Sequence, residues 1–286
     1  MSSRRLPTRG ALRKITGSFL FAVIPAAIIG CTTVVTKIPS PAEIDLQQAP
    51  GTGWTVEKLV GVLARRDQEF KSLRSLAAVS YRGPDGNQGF QEAVLVQRPD
   101  KARLETLTLL GAILIVTVNA DQIAGLHPRE GLYLRGKSSK ENLYRYTRIP
   151  LELQEMTRLL MGLPPVTTGA DWQIGGSSLY RPFNGQGKEI VVFDLGREIP
   201  VRWYRLAADG SPELSASFDN FSATPVGLFP LKINLEAGPQ QRSLEIIYQE
   251  PEVNVELAPS LFVQEKPPNV KEVPIEALGA VKNSAP

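Results

Sequence analysis

From residue 76 to residue 250 the chain is a succession of short, apolar-rich runs cut apart by glycine, proline, asparagine and aspartate. This punctuation restricts the fold more than any other feature. LAAVSYR (76–82) and FQEAVLVQ (90–97) flank the turn cluster Gly83-Pro84-Asp85-Gly86-Asn87. Pro99-Asp100 turns the chain into ARLETLTL, Gly111 interrupts, and AILIVTVN, IAGL and LYLRG complete a first meander. A second series follows: WQIGG, SLYRPF, EIVVFDL, VRWYRLA, ELSASFDNF, FPLKINLEA and RSLEIIYQE. Gly185-Gln186-Gly187 and Asp209-Gly210 stand where its hairpin turns are needed. Roughly ten or more such strands in antiparallel order predict a large curled sheet or incomplete barrel.

Two segments break the strand pattern. In WTVEKLVGVLARRDQEFKSL, Val56, Leu59, Val60, Leu63 and Phe70 recur at helical spacing, Thr55 can cap, and Glu57 sits in the first turn. This predicts an amphipathic helix within 54–72 whose apolar stripe packs on the sheet. In IPLELQEMTRLLMGLPP, Leu151, Met156, Leu159, Leu160 and Leu163 follow mixed three- and four-residue steps, and Pro164-Pro165 ends the segment. The fold class expected is mainly β with a helical lid plugging the open side.

The sheet carries an excess of apolar residues for so few helices. The run from Leu104 to Val118 is apolar on both faces, as is EIVVFDL. The strands place Leu104, Leu107, Ile113, Ile115, Val192, Phe193, Trp203, Phe218, Ile233 and Ile246 as candidates for the interior. Which alternate of each pair points inward depends on register, because a one-residue slip reverses every assignment. Such an interior is either packed solid or holds an apolar ligand. Both alternatives stand at this level.

The amino terminus has a separate logic. Arg4, Arg5, Arg9, Arg13 and Lys14 precede an uncharged, mostly aliphatic stretch from Phe19 to Gly30. That stretch is short of the ~20 residues a membrane-spanning helix needs, and the arrangement reads as a secretory signal over 1–30. Pro7 and Thr8 stand where a twin-arginine signal prefers apolar residues. Cys31 is the sole cysteine, so it has no partner for an intramolecular disulfide. Ile28-Ile29-Gly30-Cys31 resembles the lipobox of bacterial lipoproteins. The resemblance implies a diacylglyceryl group on the Cys31 thiol, cleavage after Gly30 and acylation of the new amino terminus. Three acyl chains exceed the two lipid signals that stable anchoring requires. Thr32, in place of the aspartate that favours inner-membrane retention, implies the outer membrane, with the protein facing the periplasm. The alternative is an ordinary cleavable signal or short anchor with an incidental cysteine.

Losing that segment changes the charge balance. The whole chain carries +3, and removal of five positive charges leaves −2. Without a basic patch there is no footprint for nucleic acid. Residues 31–53, rich in proline and glycine at 35–53, read as a flexible tether. Residues 54–276 form the folded domain and 277–286 a tail.

Catalytic patterns are missing from the sequence. His127, the single histidine, adjoins Pro128 at a turn, with no metal-ligand spacing around it. No G-x-S-x-G elbow occurs, and GGSS (175–178) and NGQGK (184–188) lack the spacing of a phosphate-binding loop. Glu152 and Glu155 read as solvated acids on a helix. The chain is not expected to be an enzyme, and no cofactor is implied.

ARLETLTLLGAILIVTVNADQIAGLHPREGLYLRG, followed by IPLELQEMTRLLMGLPP, resembles the lipoprotein-localisation superfamily of LolA and LolB. The features carrying the likeness are Leu109-Leu110-Gly111 at a strand end and Gly162-Leu163-Pro164 closing a helix. Farther on, LFPLKINLEA, RSLEIIYQEPEVN and LFVQEKPPNVKEVPI resemble the last strands of that superfamily, with Phe262, Pro267 and Pro268 at its Phe…Pro-Pro turn. The match runs over about residues 55–275. It implies an unclosed antiparallel β-barrel with a helical lid, binding acyl chains of lipoproteins or another lipid. A lipobox on such a chain favours the LolB role, an outer-membrane acceptor that releases cargo into the bilayer. The expected partners are acylated lipoproteins or lipid, the membrane through the anchor and a soluble periplasmic carrier, with the protein itself a monomer. By motif, Leu110 occupies the position of the protruding leucine that delivers cargo, flanked by Leu109 and Gly111. Leu109 replaces the proline usual there, which leaves open what stiffens the loop. An envelope assembly or scaffold lipoprotein with the same fold and a filled interior remains the alternative function.

Overall fold

Thr55 begins the first helix of the folded body: its hydroxyl accepts the Lys58 backbone N–H at 3.3 Å and satisfies one of the donors a helix start leaves open. Helix α1 (Val56–Glu69) buries Leu59, Val62, Leu63 and Arg66. Its inward stripe centres on Val62, while Val56 and Val60 sit at its margin. The computed structural model describes residues 44–169 and 171–277. The signal segment 1–30, Cys31, the tether up to residue 43 and residues 278–286 lie outside the described residues.

After α1 come β1 (Ser72–Gly83), β2 (Gly86–Gln97), β3 (Lys101–Thr108), β4 (Gly111–Val118), β5 (Gln122–His127) and β6 (Leu132–Lys137). Helices α2 (Lys140–Thr147) and α3 (Leu153–Leu160) follow. The second meander comprises β7 (Gln173–Gly175), β8 (Ser178–Phe183), β9 (Gly187–Asp194), β10 (Ile199–Leu206), β11 (Pro212–Thr224), β12 (Gly227–Ala237) and β13 (Arg242–Val253). The last strand is β14 (Lys271–Pro274). All belong to one sheet in the order β14-β6-β5-β4-β3-β2-β1-β13-β12-β11-β10-β9-β8-β7. Pairing of β1 with β13 joins the two meanders back to back. Every pairing is antiparallel except β14 on β6. Strands β14 and β7 end the order without pairing to each other, so the curled sheet is an unclosed barrel.

Register decides which apolar residues enter the core. One row of directly opposed core residues runs Val191, Trp203, Ala216, Leu235 and Leu244 across β9 to β13. Another runs Val94, Leu104 and Val116 across β2 to β4. Phe193, Trp203, Phe218, Ile233 and Ile246 are buried in this core, and Leu104 packs against it. Four candidate interior residues lie elsewhere. Val192 faces the other way and packs with Ile190, Tyr204 and Leu206 in a separate cluster. Ile115 opposes Glu105 and Leu126 on the outer face. Ile113 is the extra residue of a β-bulge, and Leu107 sits beside exposed Gln91 on the outer side.

The reason is that the outer face is also covered, at two places. Ile44 and Leu46 pack on the outer cluster of β9 and β10, and the Gly176 N–H donates to the Gln48 carbonyl at 2.8 Å. Residues 44–53 are therefore docked on the body, where the sequence read as tether. On the other half, a 3-10 turn (Pro259–Phe262) packs on β3 and β4. Arg103 Nη1 donates to the Leu261 carbonyl at 3.2 Å and Asn119 Nδ2 to the Phe262 carbonyl at 3.1 Å. Strands covered on both faces need apolar residues on both, which is why β4 and β9 show no clean alternation.

The helices fill the concave side. Met156, Leu159 and Leu160 of α3 join Leu59, Val62 and Leu63 of α1 in the same core. Asp67 of α1 pairs with Arg158 of α3 at 2.6 Å and with Arg98 after β2. Thr157 Oγ1 donates to the Pro99 carbonyl at 2.6 Å. Gly162 ends α3 at φ +68°, and a Cβ there would come within 2.4 Å of the Pro230 ring. Only glycine fits this close, left-handed approach.

Candidate functional site

The β3–β4 hairpin ends in a two-residue tip, Leu109-Leu110, between Thr108 and Gly111. Both leucines point into solvent, at 105% and 84% relative exposure. Isolated exposed apolar residues are ordinary, but two adjacent leucines at the end of a hairpin form a compact hydrophobic probe. Gly111 takes φ +100°, which the turn requires. Without a proline at 109, side-chain bonds hold the tip. Thr108 Oγ1 accepts the Leu110 N–H at 3.3 Å and donates to the Gly111 carbonyl at 2.9 Å. Arg129, on the neighbouring β5–β6 turn, donates from Nη2 to Thr108 Oγ1 at 3.2 Å.

Beneath the helices the concave face is mostly apolar, and a buried carboxylate that the sequence reading did not single out interrupts it. Glu92 shares the inward side of β2 with Val94 and Val96, and is 7% exposed. It opposes Ala77 on β1 and Thr106 on β3. Thr106 Oγ1 donates to Glu92 Oε1 at 3.5 Å, a long and weak bond. Burial pushes the Glu92 carboxyl up to about 7, with the Thr106 bond opposing the rise. Tyr146 of α2 and Tyr248 of β13 lie close enough to sense its charge, and burial holds both phenols above their usual range. Tyr248 donates to the Leu160 carbonyl at 2.8 Å and so meets α3.

A second polar feature lies where α3 meets the strand ends of the second meander. Glu189, 1% exposed, accepts from Arg181 at 2.7 Å and from Arg205 at 3.1 Å. Arg205 also reaches Glu155 of α3 at 2.5 Å. Glu155 in turn accepts the Glu152 backbone N–H at 3.0 Å through its other oxygen, completing a capping box. Glu155, read from the sequence as solvated, thus fastens the lid to the sheet, while Glu152 is exposed. Burial opposes the Arg205 charge, but the Glu155 and Glu189 carboxylates outweigh it and raise the guanidinium above its usual value. Above this cluster opens a cleft of about 560 Å³, lined on one side by Val166 and Leu214 of the core. The alternation of strands puts Arg181, Glu189 and Arg205 on the same side as the core residues Leu179, Val191 and Trp203, and the sequence analysis did not single them out.

His127 is the last residue of β5, and no group of three or more metal-ligating side chains occurs among the described residues. No helix among them is long and apolar enough to cross a membrane.

No protein-family model and no curated protein matches the chain. Solved structures do. A DUF1329 family protein from Desulfovibrio piger aligns over 73% of this chain and 97% of its own, at 12% identity and a TM-score of 0.55. A provisionally described outer membrane lipoprotein-sorting protein domain from Vibrio parahaemolyticus aligns over 73% and 97%, at 10% identity and a TM-score of 0.50. A LolA superfamily protein from Nitrosomonas europaea aligns over 77% and 98%, at 12% identity and a TM-score of 0.47. At such identities the likeness speaks for the fold alone, and that fold is the LolA/LolB-like open barrel with a helical lid.

Proposed function

We propose that this chain, a LolA/LolB-like open barrel, is an outer-membrane lipoprotein that takes up acyl chains beneath its helical lid. It then passes the acylated protein or lipid to the bilayer. The observation that carries the reading is the tip Leu109-Leu110, held rigid by Thr108 and exposed on both residues. A leucine pair that serves no packing role in the body gains free energy by entering a lipid surface, ~0.8 kcal/mol for each buried methylene. The lipobox-like Ile28-Ile29-Gly30-Cys31 and the neighbouring Thr32 support anchoring in the same membrane. Acyl chains enter when α3 separates from the sheet, exchanging the contacts of Met156, Leu159 and Leu160 for those of the ligand.

Leu110→Glu tests this. Because the residue is exposed, the substitution leaves stability within about 0.5 kcal/mol. The variant binds acylated peptide as the parent does but fails to deliver it to liposomes. Unchanged delivery would refute the assignment of the tip, and a large fall in melting temperature would mean that the leucine is core after all.

One observation favours the scaffold reading: α1 and α3 fill the concave face with apolar side chains, leaving Trp203 and Phe218 fully buried. Saturable uptake of an apolar fluorophore, competed by acylated peptide, separates the two. A solid interior with no uptake leaves a lipoprotein that works through its surface.

A further inference from the structure

The 560 Å³ cleft beside α3 has a composition that apolar cargo does not explain. Its walls carry Lys140, Arg158, Arg181 and Arg205 against Glu152, Glu155, Glu189 and Glu213, four charges of each sign. Its lining also includes Val166 and Leu214, which belong to the hydrophobic core. We propose that the cleft is the headgroup site for a zwitterionic amphiphile of the phosphoethanolamine type, whose acyl chain continues into the core. This rests on the acyl-binding reading and adds the class of lipid.

The balance of charge selects the ligand. Arg158, Arg181 and Arg205 are already paired with Asp67, Glu189 and Glu155, so a headgroup of a single sign leaves one of the lining's remaining charges unmet, whereas a phosphate joined to an ammonium answers both signs. The wall also has unused bonding capacity. Arg205 spends the same nitrogen, Nη2, on both Glu155 and Glu189, and its Nε has no partner. Gln240 Oε1, in the same wall, is a buried acceptor that no donor reaches. Buried polar atoms are normally paired, so a spare donor and a spare acceptor in one cleft fit a ligand bringing both a phosphate and an amine. Lys140, which has Glu141 beside it, and Glu213 are both exposed in the same lining and stand where the two charges of the ligand would meet them. The core beyond Val166 and Leu214 then accounts for the chain, so one molecule spans both environments.

The test uses the mature lipidated protein in non-ionic detergent doped with equal amounts of palmitoyl lysophosphatidylethanolamine, palmitoyl lysophosphatidylglycerol and palmitate. Native mass spectrometry reads the retained adducts. The ethanolamine form is retained about tenfold over the glycerol form. Glu213→Lys, an exposed change outside the Arg205 cluster, brings that ratio to one or below while the melting temperature stays as in the parent. Equal retention of the two headgroups, or a ratio unmoved by Glu213→Lys, overturns the headgroup site and leaves acyl binding standing. Loss of all three adducts in the parent overturns both.

Discussion

Replacing Glu92 with glutamine tests how the barrel interior treats a charge. The carboxyl is buried on the concave face, and the groups turned toward it are Thr106 from β3, Tyr146 from α2 and Tyr248 from β13, none of them a cation. Burial moves its titration from 4.5 to about 7. Each pH step over that interval is worth ~1.4 kcal/mol, so the ionised side chain costs the folded state ~3 kcal/mol. The folded-state value lies above the unfolded one, so the folded protein keeps a proton that the unfolded chain releases. Stability therefore falls as pH rises from 4.5 to about 7 and is level beyond. Glutamine keeps the shape and an acceptor for Thr106 but cannot ionise. The variant should equal the parent near pH 4 and exceed it by ~3 kcal/mol at pH 8, ~6–12 °C in melting temperature for a domain of this size. Thermal and urea unfolding of both proteins across this pH range measure the difference. A difference that does not vary with pH, or a less stable variant at pH 8, would refute the reasoning, since the carboxylate would then have a partner or water of its own.

Gly162→Ala places a Cβ against Pro230 at a left-handed position and should cost more than ~2 kcal/mol in urea unfolding; an unchanged midpoint would mean that α3 and β12 separate freely. Intact mass of membrane-extracted protein should show a chain that starts at Cys31 and carries three acyl groups. A free thiol on a chain retaining residues 1–30 would end the lipoprotein assignment.

Local chemistry was legible in the residues. Thr55 with the stripe of α1, the turns Gly83-Pro84-Asp85-Gly86-Asn87 and Asp209-Gly210, and the stop at Gly162-Leu163-Pro164 each depend on neighbours within a few positions. The antiparallel order and the helical interruption follow from that punctuation. The tip at Leu109-Leu110 was expected only from the resemblance to the LolA and LolB superfamily, and the structure exposes both leucines. The interior was only partly legible: Phe193, Trp203, Phe218, Ile233 and Ile246 are core, while Leu107, Ile113, Ile115 and Val192 are not.

The sequence by itself thus determined the number and type of most elements and the helical lid, which are governed by short-range periodicity and turn preference. Only the tertiary structure decided which face of each strand is inside. Apolar alternation fails where both faces are buried, and here the outer face is covered by Ile44 and Leu46 at one end and by Phe262 at the other. The same long-range pairing gathers Glu155, Arg181, Glu189 and Arg205 from a helix and three strands into one buried cluster. A charge read along the chain appears solvated; whether it is buried depends on partners tens of residues away, and only the folded sheet supplies them.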